Sequence, residues 1–116
     1  MQLKPQSWYH LSSQQYYPLQ PLPWLEQAAE QPIHALAGIG HPQRFFDTLV
    51  ALDIEGEHHH YDDHYQFTAD DFSAWQQDTV LMTEKDAVKC QAFSQPQWWA
   101  LIVAIDLPKH LSLIHI

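Results

Sequence analysis

Glycine is scarce: the chain has three among 116 residues, at positions 38, 40 and 56. A G-x-x-x-x-G-K-[ST] phosphate loop is therefore excluded, and so is a complete G-x-G-x-x-G fingerprint, because Gln43 stands where its last glycine would fall. Positive charge is scarce too. Lys4, Arg44, Lys85, Lys89 and Lys109 are the whole basic set against 14 acids, a net charge of −9 with the histidines neutral. That balance argues against a basic groove for nucleic acid and against a polybasic membrane patch. The single cysteine, Cys90, leaves no internal disulfide and fits a reducing compartment. No apolar run approaches the roughly 20 residues that a bilayer span needs, and the first residues lack the charged-then-apolar pattern of a signal peptide. We expect a soluble chain of cytosolic character.

Against these absences stands an ordinary apolar content of 46%, enough for one small domain or a piece of a larger one. Residues 1–32 combine Pro18, Pro21 and Pro23, which forbid a long helix, with Trp8, Tyr9, Tyr16, Tyr17 and Trp24, which disordered linkers lack. This reads as an extended arm, with a short helical turn over Trp24 to Glu30. From Ile33 the pattern becomes regular. It predicts strands over Ile33 to Ile39, Ile54 to His60, Thr79 to Met82 and Trp98 to Asp106. Between them it predicts helices from Pro42 to Leu52, after the cap-like Thr68 to Asp71, and from Thr83 to about Ala92. The expected fold is α/β: a small, mostly parallel sheet over 33–110 with flanking helices.

Ligands of such sheets sit at the carboxyl ends of strands, and three segments fall there. The first is the turn at Gly38 and Gly40, followed by Pro42 in the first helical turn. Arg44 lies in that same turn, where it opposes the helix dipole and calls for an anionic partner. The second is His58 to His64. Its density of imidazole and carboxylate suggests a metal site, although strand alternation sends His58 and His60 one way and His59 the other. The bland reading is a polar strand end; within it, Asp63-His64 suits an acid–base pair in which the carboxylate orients the imidazole. The third is Thr83 to Lys89. Thr83 and Asp86 read as a helix cap with Glu84 in the first turn, and Lys85 and Lys89 share one face, either meeting phosphate or simply solvated. Cys90 reads as a buried, inert thiol.

Taken together, AGIG-HPQRFF at 37–46, YDDHYQF at 61–67, LMTEKDAVKC at 81–90 and QPQWWAL at 95–101 resemble the C-terminal part of the tetraacyldisaccharide 4'-kinase family, the lipid A 4'-kinases. The likeness runs from about His34 to Asp106 and is looser in the arm before it. It implies the Rossmann-like C-terminal lobe of a P-loop kinase that uses ATP and Mg2+. The substrate would be the tetraacylated lipid A disaccharide precursor, at the cytoplasmic face of a Gram-negative inner membrane. In that family the phosphate loop, metal-binding acids and catalytic aspartate belong to the N-terminal lobe, as does the membrane contact. The present chain would be a fragment, inactive alone, whose arm over 1–32 leads to that lobe. His64 matches a histidine supporting the catalytic aspartate, with Asp63 orienting it. Gly38, Gly40, Arg44, Thr83, Glu84, Lys85 and Asp86 form a lobe-edge motif without assigned roles. Residues 111–116, LSLIHI, leave the family pattern and read as the translation of a sequencing-library adapter, a scar outside the fold. The alternative from another class is a stand-alone α/β binding module that takes a metal through its histidine cluster.

Overall fold

The computed structural model describes residues 3–24, 32–75 and 77–105. Six strands form one sheet: β1 (Leu3–His10), β2 (Gln15–Pro18), β3 (Ile33–Ala37), β4 (Glu57–His60), β5 (Thr79–Thr83) and β6 (Trp98–Ile105), in the spatial order β2-β1-β6-β5-β3-β4. The expected parallel block is present, since β3 pairs in parallel with β4 and β5, and β5 with β6. Two helices flank it, α1 (Pro42–Ala51) and α2 (Glu84–Cys90), with 3-10 helices over Ala69–Trp75 and Gln91–Phe93.

The N-terminal arm differs from its expectation. It is extended, but it belongs to the sheet: β1 and β2 form an antiparallel hairpin, and β1 also runs antiparallel to β6. Pro5 lacks the N–H that a ladder position needs, and the β1–β6 register shifts between Pro5 and Ser7, as a bulge absorbs such a residue. The sheet is thus mixed, and it takes in the arm as well as residues 33–105. The helical turn expected over Trp24 to Glu30 falls outside the described residues beyond Trp24, and so does the suspected scar at 111–116.

Strand alternation sorts the core into two layers. On one face Trp8, Ala35, Ala37, Leu81, Trp99 and Leu101 pack with Phe45, Phe46 and Leu49 of α1. On the other, Leu36, Val80, Met82, Trp98 and Ala100 pack with Phe67, Phe72, Ala87 and Cys90. The adjacent tryptophans at 98 and 99 therefore serve opposite layers. The apolar spacing of α1 meets the first layer, and the helix stops in a Schellman arrangement. Ile54 N–H reaches Leu49 O at 3.0 Å and Asp53 N–H reaches Val50 O at 3.0 Å, with Asp53 in the left-handed region at φ 62°. Ile54 and Leu49 are buried in the same layer, the apolar contact that accompanies such a stop. Gly56 then lets the chain pass the start of β3: a Cβ there would stand 2.6 Å from the Ile33 carbonyl oxygen.

Candidate functional site at the carboxyl edge of the sheet

The turn after β3, the loop after β4 and the start of α2 meet at one edge, and a buried carboxylate ties them. Asp86 has no exposed surface. Its Oδ2 accepts the Gly38 N–H at 3.0 Å and the Thr83 hydroxyl at 2.8 Å, while Thr83 Oγ1 accepts the Asp86 N–H at 3.1 Å. The cap expected from Thr83 and Asp86 is therefore real and reciprocal. Asp86 also consumes the Gly38 N–H, so that group is not free for an anionic ligand. Close approach explains Gly38: a Cβ would lie 3.1 Å from Asp86 Oδ1 and 3.3 Å from the Asp62 carbonyl oxygen. Gly40, by contrast, is exposed with nothing within 4 Å of such a Cβ.

Both lysines of α2 turn toward the loop after β4. Lys89 Nζ donates to the carbonyl oxygens of Asp63 at 2.8 Å and Gly38 at 3.3 Å, and stands 4.0 Å from Asp86 Oδ1. Lys85 Nζ pairs with Asp63 Oδ1 at 2.7 Å. That hydrogen bond is the main reason the Asp63 carboxyl sits below its ordinary range; desolvation, the next largest influence, opposes it, and the charges of Lys85, His64 and Lys89 add to the lowering. Among the described residues no hydrogen bond joins Asp63 to His64; Asp63 is held by Lys85 instead. His64 is exposed. Together with Asp63, Tyr65, Gln66, Phe67, Lys85 and Lys89 it lines an open cleft of about 680 Å³.

Around the edge, on the α1 side, lies a second hollow of about 490 Å³. Leu101 and Val103 of β6 contribute to its largely apolar lining, and Arg44, Thr83, Glu84 and Lys85 also border it. Lys85 thus belongs to both hollows. Arg44 is exposed in the first turn of α1, a helix whose N-cap His41 makes no side-chain cap and whose first turn has no acid. The structure brings Gly38, Asp63, His64, Thr83, Lys85 and Asp86 to one edge; Gly40, Arg44 and Glu84 border its α1 side. Cys90 is buried with its thiol pushed up to about 12, chiefly by burial and then by the charge of Asp86, which matches the inert role expected. Lys89 carried more than its sequence context revealed. A lysine one turn after a cap signal reads as meeting phosphate or as solvated, and only the fold shows it crossing to two backbone carbonyls.

The Gly38 N–H, Lys85 and Lys89 are engaged within the chain, and no phosphate loop is present. Among the described residues, no helix is long and apolar enough to cross a membrane.

Comparison with known proteins gives these motifs a common setting. The family model for tetraacyldisaccharide-1-P 4'-kinase matches residues 1–115, which takes in the hairpin as well as the parallel block. The chain is 46% identical over 88 residues to a tetraacyldisaccharide 4'-kinase of Methylobacillus flagellatus, covering 76% of this chain and 26% of that protein. It is 45% identical over 111 residues to one of Pseudomonas aeruginosa, covering 95% and 32%. Its fold is similar to the crystal structure of the "apo" form of LpxK from Aquifex aeolicus in complex with ATP, with TM-score 0.66 and 22% identity over 96% of this chain and 32% of that one. The chain thus spans about a third or less of the length of these relatives. With the motif segments in order and a match over nearly its whole length, the chain belongs to the tetraacyldisaccharide-1-P 4'-kinase family.

Proposed function

We propose that this chain is the C-terminal lobe of a tetraacyldisaccharide 4'-kinase, which transfers the γ-phosphate of ATP to the 4'-hydroxyl of a tetraacyldisaccharide 1-phosphate. The observation that carries the reading is the single edge at which Asp63-His64 and the TEKD segment meet, within a family match over residues 1–115. ATP and Mg2+ are held mainly by the other lobe, which supplies the phosphate loop and the acids. This lobe closes on them, and alone it does not catalyse, because phosphoryl transfer rests on positioning and electrostatics around the nucleotide.

His64 stands at the open cleft beside the Lys85–Asp63 pair. In the closed enzyme its imidazole meets the catalytic aspartate of the other lobe, positioning that carboxylate and tuning its basicity. Lys85 fixes the loop that carries His64, while Lys89 and Asp86 fix the loop to β3 and α2. Arg44 and the hollow beneath it face an anionic group of nucleotide or substrate. The enzyme works at the cytoplasmic face of the Gram-negative inner membrane, with membrane contact made outside this lobe. In an intact kinase containing this lobe, His64→Ala lowers kcat by about 10²-fold, the scale of a lost acid–base partner, with nucleotide affinity little changed. An unchanged kcat removes His64 from the mechanism.

A further inference from the structure

At the opposite, amino end of the parallel strands a second cluster exists that the phosphoryl-transfer reading does not use. His34 is the second residue of β3 and is 5% exposed, a polar group inside an otherwise apolar run. Parallel register sets it beside Glu57 of β4, and alternation puts His59 on the same face as Glu57. Three donor atoms converge: His34 Nδ1 lies 3.1 Å from His59 Nε2 and 3.2 Å from Glu57 Oε2, and those two are 3.6 Å apart. On its other side His34 Nε2 meets Asp78 Oδ2 at 2.7 Å. Trp75 stacks on the His34 ring at 4.4 Å and packs against His59 at 4.5 Å.

These distances have a direct interpretation. Ligand atoms about 2.0–2.1 Å from a tetrahedral zinc ion are separated from each other by about 3.3 Å. The observed triangle of 3.1, 3.2 and 3.6 Å is one face of that tetrahedron. The tautomer fits as well. With its Nε2–H given to Asp78, a neutral His34 presents a bare lone pair at Nδ1, and Glu57 presents another at 3.2 Å. Two such acceptors repel unless a cation lies between them. A proton bridges one pair, whereas a metal ion serves all three atoms at once. Asp78 is the outer carboxylate that ligating histidines characteristically hold.

We propose that His34, Glu57 and His59 bind one divalent zinc-like ion, with Asp78 orienting His34 and the fourth position open to water. Two imidazoles and one carboxylate select a borderline transition metal over Ca2+ or Mg2+. The ion joins the edge strand β4 to β3 and, through Asp78, to the start of β5. The site stands on the strand ends opposite the cleft and does not depend on the kinase reading.

The test is a chelator-buffered Zn2+ titration of the full chain at neutral pH, with folding checked by near-ultraviolet circular dichroism. The expected result is one Zn2+ per chain, with Co2+ giving visible absorption of tetrahedral type. Combining Glu57→Gln, at the surface, with His59→Gln, half-buried, abolishes binding; Asp78→Asn weakens it about 10–100-fold. His58→Gln and His60→Gln lie outside the triangle and leave the affinity within about twofold, since strand alternation points both side chains to the opposite face. The proposal is overturned if the folded chain takes up no stoichiometric metal. It is overturned equally if binding survives the Glu57/His59 double variant, or if it is His58→Gln or His60→Gln that removes it.

Discussion

Replacing Asp86 tests how the candidate edge is held. Asp86→Ala leaves the buried Gly38 N–H and the half-buried Thr83 hydroxyl without the acceptor they now meet at 3.0 and 2.8 Å. A buried donor stripped of its partner costs about 1–3 kcal/mol; with the full penalty at Gly38 and a smaller one at half-buried Thr83, the pair costs about 3 kcal/mol. That is a large part of the roughly 5–15 kcal/mol that holds a domain. It corresponds to a fall of about 20 °C in Tm or about 2 M in the urea midpoint. Asp86→Asn keeps one oxygen able to accept both donors, gives up only the attraction to Lys89 at 4.0 Å, and costs about 1 kcal/mol. Urea unfolding followed by the fluorescence of the five tryptophans measures both variants, with an unchanged m-value as the condition for comparing them. A cost below about 1 kcal/mol for Asp86→Ala refutes the reasoning, because the two donors would then be reaching water. Equal costs for the two variants refute it differently, since charge rather than acceptor position would be what matters.

Lys85→Met should return the Asp63 carboxyl to its ordinary range in a carbon-detected NMR titration, because the Lys85 hydrogen bond is the largest cause of its depression. The folded pKa is the lower one, so the favourable contribution of this pair is present above the unfolded value and lost as pH falls through the folded one; no upward movement in the variant would show that Lys85 is not the cause. Cys90 should resist thiol reagents at pH 8 in the native chain and react in urea. A move from 9.0 to about 12 lowers its thiolate fraction about a thousandfold, and rapid native labelling would contradict its burial. Gly56→Ala forces a Cβ to 2.6 Å from the Ile33 carbonyl oxygen and should cost about 1–3 kcal/mol in a thermal melt; a neutral result would mean that this loop moves freely against β3.

The parts of the fold legible in the sequence were those whose cause is local. Alternation and apolar runs gave β3, β5 and β6 within a residue or two, and the Thr83–Asp86 cap placed the start of α2. The hairpin β1–β2 was not legible, because Pro5, Gln6 and Ser7 have poor strand chemistry, and their conformation is set by pairing with β6 nearly a hundred residues later. At the carboxyl edge, the meeting of Asp63-His64 with the TEKD segment was legible from the alternation of strands and helices, which sets the carboxyl ends of parallel strands side by side. The partners were not: Asp63 faces Lys85 rather than His64, and Asp86 reaches across to Gly38. The histidine run drew attention to residues 58–64, yet His58 stacks on Phe46 and the convergent set needs His34 and Glu57. Two faint signals were available, a histidine inside an apolar strand and a Glu-x-His alternation, but only parallel register joins them.

The place of β6 between β1 and β5 also governs how the chain reaches its native state. It is the last of the described strands in sequence, yet it is the only member that links the hairpin to the parallel block. Before it leaves the ribosome, a nascent chain holds two sheet fragments with unpaired inner edges. The largest set of native pairings, β1 with β6, waits for the closure of a long loop, at its narrowest from His10 to Trp99 and at its widest from Leu3 to Ile105. Contacts so distant in sequence slow folding and lengthen exposure to aggregation. Synthesis of this domain should therefore depend on chaperone protection until Trp98 to Ile105 has emerged.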